Sequence, residues 1–393
     1  MVFFLFLLVN FKIYNSAERL PHQWDNLINE DIFLKSHFLK ALEKTYPKNI
    51  SAFYVGVFLN SNLVGIAIIQ RVKLYAKEMF RQNQVSFFKQ ILRTNISKVL
   101  KGNILVVGNL MHTGQHGVYF DNRQIQAIEF VKSIFNALEQ IQQDIKINYN
   151  KKIRLILFKD YFKDDALLLE EALFNSEGFY KVKVQPNMIM AIRSNWQVFE
   201  NYISNMNTKY RTRYKRALKK FGSIKRSELS ESEIEDNYKK LHELYLNVSN
   251  NASFNTFVLP ENHFKILKEQ LKDNFKVFGY YLDNQLIGFY TLIINKDILE
   301  TYFLGYDEEH QYQNQLYLNM LYDMAKYGIN NKFSSVVYAR TAMEIKSSVG
   351  AKPKEMFMYM KHTNRFANMV LKIVFNLLNP SRKWKERNPF KEV

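Results

Sequence analysis

The sequence predicts an α/β protein, in the α+β sense, made of two tandem units, each a mixed, largely antiparallel central sheet flanked by helices. Strand-period and helix-period segments alternate along the chain, and their order in the first half recurs in the second. Within that order one hairpin repeats: VGVFLNSNLVG, Val55–Gly65, aligns with FGYYLDNQLIG, Phe278–Gly288, at a constant offset of 223. Self-similarity over such a distance points to duplication, and 393 residues are too many for one small domain. The expected boundaries are 11–186 for the first unit, 187–362 for the second, and 363–393 for a C-terminal amphipathic helix and basic tail.

In the first unit, Trp24–Tyr46 has helix-like spacing. Phe53–Leu59 and Leu63–Gln70 are strands joined at Asn60-Ser61-Asn62, a hairpin turn signal. Ile104–Val107 and Ile153–Phe158 read as buried strands around a long amphipathic helix, Gln124–Ile145. Asp164–Asn175 is a helix closed by Glu177-Gly178, and Tyr180–Val184 alternates as a half-buried strand. In the second unit, Ser194–Gln197 and Ser230–Glu233 have capping-box spacing and open helices. Between them Tyr210, Tyr214, Leu218 and Phe221 form one apolar stripe on a basic helix. Pro260 fits a first helical turn. Strands follow at Phe275–Leu282, Leu286–Ile294 and Leu299–Leu304, then a helix Tyr312–Tyr327 that stops at Gly328. A strand Ser334–Tyr338, a short helix capped by Thr341 and Glu344 and closed at Gly350, and a strand Phe357–Met360 complete it.

Composition narrows the function classes. With 47% hydrophobic and 23% charged residues the chain can bury real cores. The absence of cysteine excludes disulfides, thiolate metal sites and a cysteine nucleophile, and suits a reducing, cytoplasmic setting. Zinc, EF-hand, G-x-S-x-G and Walker spacings are missing, so no metal is expected. The net charge of +18 is concentrated: Lys209–Arg226 carries +9 and Lys361–Val393 carries +6, two local anion-facing surfaces. The opening MVFFLFLLVN has the apolarity of a signal segment but no leading cation and no small-residue cleavage site, and is too short to span a bilayer; a buried strand is expected.

The order helix, hairpin, strand, helix, strand, helix, strand resembles the GNAT-type acyltransferase unit. NTKYRTRYKRALKKFGSI, the hairpin FGYYLDNQLIGFYTLI, and the closing YARTAMEIKSSVGAKPKEMFMY resemble the Fem-type aminoacyltransferases and their FemAB-like relatives, which carry two GNAT-like units in one chain. The resemblance covers roughly residues 20–365. It implies an N-acyltransferase moving an acyl group from an activated thioester, acyl-CoA, to an amine on a cell-envelope or lipid precursor. The Fem resemblance implies aminoacyl-tRNA as the donor instead. One departure bears on this choice: the stretch where a coenzyme-A-binding unit places a glycine-containing loop reads Asp307–Gln315, DEEHQYQNQ, without glycine and with acidic residues. In the first unit Gly108, Gly114 and Gly117, with His112 and His116, offer a glycine-rich loop that matches no phosphate motif. A non-catalytic membrane- or nucleic-acid-binding protein on this fold is the remaining reading.

The expected catalytic residues are Glu344 as base, Arg340 as partner of an anionic group, and Tyr302 at the end of a strand. Lys346, Tyr306, Tyr317, Lys209, Arg211 and Arg213 are the expected substrate contacts. Against these stand plain structural alternatives: a capping box for Glu344, core packing for the tyrosines, and structural roles for His116 and His310. The basic helix has three readings, as a solvated face, a surface for tRNA phosphates, or a contact with acidic headgroups. Phe366–Leu378 is apolar except for a stripe of Asn368, Lys372 and Asn376. It packs on the body or lies in a membrane interface, and Trp384 among cations favours the interface, placing the protein at the inner face of a membrane.

Overall fold

The computed structural model describes residues 9–28, 30–74, 102–251, 256–378 and 384–391. The chain forms two compact units: Met1–Val184 with Phe254–Phe257 and Glu355–Pro380, and Gln185–Ser253 with Val258–Lys354 and Ser381–Val393.

In the first unit β1 (Val9–Tyr14), β2 (Ile50–Leu59) and β3 (Asn62–Leu74) are antiparallel neighbours, and β3 continues to β4 (Gly102–Val107). The buried strand expected over the first ten residues falls mostly on residues 1–8, which lie outside the described residues; β1 begins at Val9 and alternates half-buried and exposed up to the buried Tyr14. β4 runs parallel to β6 (Ile153–Phe162), and the short β5 (Val118–Phe120) adds to β3. The next strand is the last of the chain, β13 (Lys352–His362), antiparallel to β6. Helix α3 (Ala127–Tyr149) covers one face, burying Phe130, Ile134, Leu138 and Ile141 against β2, β3 and β4. The expected helix Trp24–Tyr46 is broken into α1 (Gln23–Leu27) and α2 (Ser36–Lys44). The break lies at Ile32, Phe33 and Leu34, three consecutive buried residues that no single helical face accommodates.

The helices α4 (Ala166–Leu169) and α5 (Glu171–Ser176) lead to β7 (Tyr180–Ala191), whose first residues belong to the first unit and whose last belong to the second. In the second unit Ile189–Ala191 pair antiparallel with β12 (Ser335–Val337). β12 is parallel to β11 (Ile298–Tyr306), and antiparallel pairs follow to β10 (Gln285–Asn295), β9 (Phe275–Leu282) and β8 (Lys225–Glu228). On one face lie α6 (Phe199–Asn205), α7 (Thr208–Phe221) and α11 (Leu316–Asn330); on the other lie α8 (Glu231–Asn250) and α9 (His263–Leu271). The short α10 (Glu308–Gln313) precedes α11, and α12 (Met343–Ser347) precedes β13.

The duplication is visible in backbone geometry. Asn60-Ser61 and Asp283-Asn284 turn with φ of 47°, 73°, 48° and 63°, so both hairpins use a turn left-handed at both corners. Each hairpin then skips one residue of its second strand, Val64 in one and Ile287 in the other, which are again 223 apart. Each unit also has a parallel pair in the equivalent place, β4 with β6 and β11 with β12.

Several local expectations are corrected. Gly328 does not end a helix: α11 runs on to Asn330, and a Cβ at Gly328 would lie 2.6 Å from Val336 Cγ2. Glycine is there to let the helix sit on the sheet. In α7 the packed position belongs to Ala217, while Leu218 is 53% exposed, since Ala217 lies almost two whole turns from the buried Tyr210 and Leu218 lies further round the helix. The helix expected from Ser194 begins at Phe199, where Asn201 Oδ1 accepts from the Gln197 and Val198 amides. The Ser230–Glu233 capping box is present as expected.

On the opposite face from Gly328, Gly305 of β11 meets α8: a Cβ would lie 2.4 Å from Leu244 C and Tyr245 N. Because backbone cannot move aside as a side chain can, Gly305→Ala is expected to cost about 1–3 kcal/mol, read as a lowered midpoint in urea denaturation with unchanged slope.

Candidate functional site

The site is built where two parallel strands part. β11 and β12 pair only at Ile298–Ser335, Leu299–Val336 and Glu300–Val337. Beyond them β11 runs on to Tyr306, while the chain after β12 turns into the loop Tyr338–Ala342. The carboxyl ends of adjacent parallel strands, once they diverge, form a crevice, the usual ligand position in such sheets.

A bulge shapes the β11 side. Tyr290 faces Leu304 but Leu292 faces Thr301, so Tyr302 and Phe303 together oppose Thr291. The Thr291 hydroxyl accepts from Phe303 N at 2.9 Å and donates to Phe303 O at 2.7 Å, replacing ladder bonds that the bulge removes. The bulge also sends neighbouring tyrosines in different directions. Tyr302 reaches His263 Nε2 on α9 at 3.2 Å, whereas Tyr306 stands 6.4 Å from the ring of Tyr317 on α11. Burial raises both Tyr306 and Tyr317 above the ordinary phenol value.

The other side is strained. Ala339, Thr341 and Ala342 have φ of 57°, 64° and 45°, an unfavourable region for residues with a Cβ. The expected Thr341–Glu344 capping box is absent, because Thr341 is held in that left-handed conformation and α12 starts from Ala342 without a side-chain cap. The loop is held from beneath by Lys346, which is buried and donates from Nζ to Ala339 O at 3.3 Å and to Arg340 O. Burial pushes Lys346 down to about 7 and Arg340 down to about 10. Tyr338, just before the loop, is buried and donates to Leu321 O at 2.9 Å.

The expected residues therefore fall into separate groups. Tyr306, Tyr317, Arg340 and Lys346 gather at the carboxyl ends of β11 and β12. Glu344 is exposed and pairs with Arg387 of the C-terminal segment. The α7 cations lie elsewhere: Lys209 is exposed, Arg211 donates to Ser204 O, Met206 O and Thr208 Oγ1, and Arg213 stands against Tyr322, which burial raises to about 12. His116 pairs with Asp31 at 2.7 Å and His310 with Asn314 at 3.3 Å, both structural contacts. Thr291 and His263 were not expected; a lone hydroxyl inside the apolar run FYTLII was the available signal for the first.

The start of α11 has no open anion cradle. Gln315 precedes it in a left-handed conformation, and Gln311 Oε1 already accepts from the Tyr317 amide at 2.9 Å. Asp307, Glu308 and Glu309 open the short helix α10 before it, with Asp307 Oδ1 accepting from Glu309 N. Among the described residues no cluster of histidine and acidic groups could hold a metal ion.

In the first unit the equivalent mouth is filled. β4 stays paired with β6 through Val107–Phe158. Lys159 then folds over Gly108, whose Cβ would lie 2.5 Å from Lys159 Cγ, and pairs with buried Asp160 at 2.5 Å while donating to His112 O at 3.0 Å. The glycines of this loop serve that packing, and a Cβ at Gly117 would lie 2.2 Å from Gly108 Cα.

Residues 208–347 match the family described as an acetyltransferase (GNAT) domain. Among solved structures the whole chain is similar to FemX, at 10% identity and TM-score 0.54, covering 92% of this chain and 100% of that one. The fold is that of the FemAB-like, tandem GNAT proteins. A tandem GNAT protein from the clavulanic acid biosynthesis pathway is similar at 8% identity and TM-score 0.51, covering 91% and 99%. L-PGS from Bacillus licheniformis is similar at 10% identity and TM-score 0.50, covering 93% and 98%. Curated proteins give no match by sequence. The matched GNAT segment contains the bulge, the parting strands and the strained loop, and ends at Ser347 beside Lys346.

Two measurements follow from this geometry. Thr291→Val leaves both backbone groups of Phe303 without their partner and is expected to cost about 1–3 kcal/mol, read by denaturant unfolding. Lys346 near 7 lies below the ordinary lysine value of about 10.4. Between those values the unfolded chain holds a proton that the folded chain has released, so stability rises with pH through this window, by up to about 1.4 kcal/mol per pH unit, and is lowest below it. Urea midpoints taken from about pH 6 to about pH 9 should show that rise, and Lys346→Met should flatten it.

Proposed function

We propose that the second unit transfers an activated acyl or aminoacyl group to an amine. The observation that carries this is the crevice between β11 and β12, bulged on one side and strained on the other, inside a matched GNAT domain. The acceptor amine attacks the acyl carbonyl; the C–N bond forms, the bond to the leaving sulfur or oxygen breaks, and the amine proton passes to a base or water. Lys346, held near neutrality, and Arg340 provide positive charge at the loop, while Glu344 and Tyr302, engaged by Arg387 and His263, keep the loop and strand in place. Tyr306 and Tyr317 line the approach.

Acyl-CoA is the donor that a GNAT domain suggests. An aminoacyl-tRNA is favoured by a specific observation: the start of α11 has no glycine, Gln315 precedes it in a left-handed conformation and its Tyr317 amide is occupied by Gln311, a poor grip for a pyrophosphate. Five exposed cations of α7, Lys209, Lys215, Arg216, Lys219 and Lys220, offer a surface for RNA phosphates. The acceptor in this reading is an amine on a lipid or cell-envelope precursor reached from the cytoplasmic side of the membrane, and the repeats at 11–186 and 187–362 descend from one duplicated unit.

Thermal melting at fixed low salt with acyl-CoAs, free CoA and aminoacyl-tRNA tests the donor. A ligand at 100 times its dissociation constant adds roughly 2.7 kcal/mol. A shift with one acyl-CoA identifies a thioester donor, and a shift with aminoacyl-tRNA that fades with salt identifies the tRNA donor. With the donor known, Arg340→Gln is expected to lower kcat/KM about 100-fold. Silence from every donor removes the transferase reading.

A further inference from the structure

Helix α13 (Arg365–Leu378) in the first unit has two apolar faces and buries only one of them. Leu371 is fully buried and Phe375 packs beside it, against Val182, Met360 and Leu155 on the sheet face opposite α3. The helix is pinned to the body by Asn368: its Nδ2 donates to Gly178 O at 2.9 Å, and its Oδ1 accepts from His362 N at 2.7 Å. On the opposite side Phe366, Met369, Val370 and Ile373 are 82%, 71%, 45% and 62% exposed. Their spacing of i, i+3, i+4 and i+7 makes a continuous ridge along the helix.

Charge says what covers that ridge. Arg365 and Lys372 are both exposed and lie on one flank of it, between the buried and the open apolar faces. The segment 361–378 contains Lys361, Arg365 and Lys372 and no acidic residue. A second copy seated on this face would bring these cations near their own counterparts without a carboxylate from either helix. A lipid surface takes both features: the ridge enters the acyl boundary while the flanking cations reach phosphate groups. At 14 residues the helix is about 21 Å long. No helix of the described residues is long and apolar enough to cross a membrane.

We propose that α13 docks the protein in the plane of an anionic lipid bilayer, with Phe366, Met369, Val370 and Ile373 inserted and Arg365 and Lys372 on the headgroups. The contact lies on the first unit, away from the matched GNAT segment, so it stands whether or not the second unit transfers anything. Trp384 has no part in it: it packs against the core of the second unit, correcting the expectation that it marks the interface.

The test is co-sedimentation of the full chain with phosphatidylcholine vesicles with and without phosphatidylglycerol. The wild-type protein is expected to sediment with the anionic vesicles. Substituting the ridge together, Phe366→Ser, Met369→Ser and Ile373→Ser, is expected to weaken partition more than roughly tenfold. Arg365→Gln and Lys372→Gln are expected to lower only the phosphatidylglycerol-dependent part, about fivefold for each cation. Because these side chains are exposed, the melting temperature should hold in every variant, which separates lost docking from lost folding. Anionic binding that survives the ridge substitutions assigns it to another basic surface such as α7 and overturns the proposal. So does failure of the wild-type protein to sediment, or a mass that doubles in solution and returns to that of one chain in the ridge variant.

Discussion

Everything at the candidate site depends on β11 and β12 ceasing to pair after three residues. Ladder bonds would normally continue, and each one lost exposes an N–H or C=O that needs another partner. The protein supplies substitutes on both sides of the gap. On the β10 side of β11 Thr291 replaces the bonds of Phe303 that the bulge removes, and on the β12 side Lys346 takes the carbonyls of Ala339 and Arg340. Glycines on opposite faces of the sheet, Gly305 under α8 and Gly328 over Val336, bring helices into backbone contact near the parting strands. The gap is thus held by polar contacts beside it and close packing above and below it. The first unit shows the alternative: its parallel pair stays closed and a buried lysine–aspartate pair occupies the end.

Charged groups of the second unit organise backbone or a neighbouring strand. Asp323 on α11, half-buried, accepts from Tyr280 at 2.6 Å and pairs with the exposed Arg226 of β8, and burial still holds it above the usual carboxylate range. Lys346 differs in kind. It donates to the carbonyls of Ala339 and Arg340, and burial makes its proton weak enough to exchange near neutral pH. That makes it the group best suited to respond when a charged or dipolar ligand enters the crevice.

The hairpins were legible because left-handed corners demand particular residues, and Asn60-Ser61 and Asp283-Asn284 announce them. The order of strands and helices was legible from periodicity, and Arg340 and Lys346 from their place after a buried strand. Other features left no local trace. Thr291 is one hydroxyl in an apolar run, and only the register of β11 shows why it is needed. Gly328 looked like a helix stop, since sequence cannot tell a glycine that ends a helix from one that lets it approach a sheet. Glu344 looked free because Arg387, its partner, lies 43 positions away. Which strand lies beside β6 is likewise a long-range choice that neither segment spells out alone.

That choice has a consequence in time. The first unit takes its neighbour for β6 from β13, whose residues from Glu355 onward emerge about 170 positions after Val184. At ~5–20 residues per second a ribosome needs on the order of ten to thirty seconds to deliver it. For that interval the outer edge of β6 has no strand from its own repeat to cover it, and an open edge invites pairing with the wrong chain. The first unit of this protein is begun first but closed only after most of the second has been made.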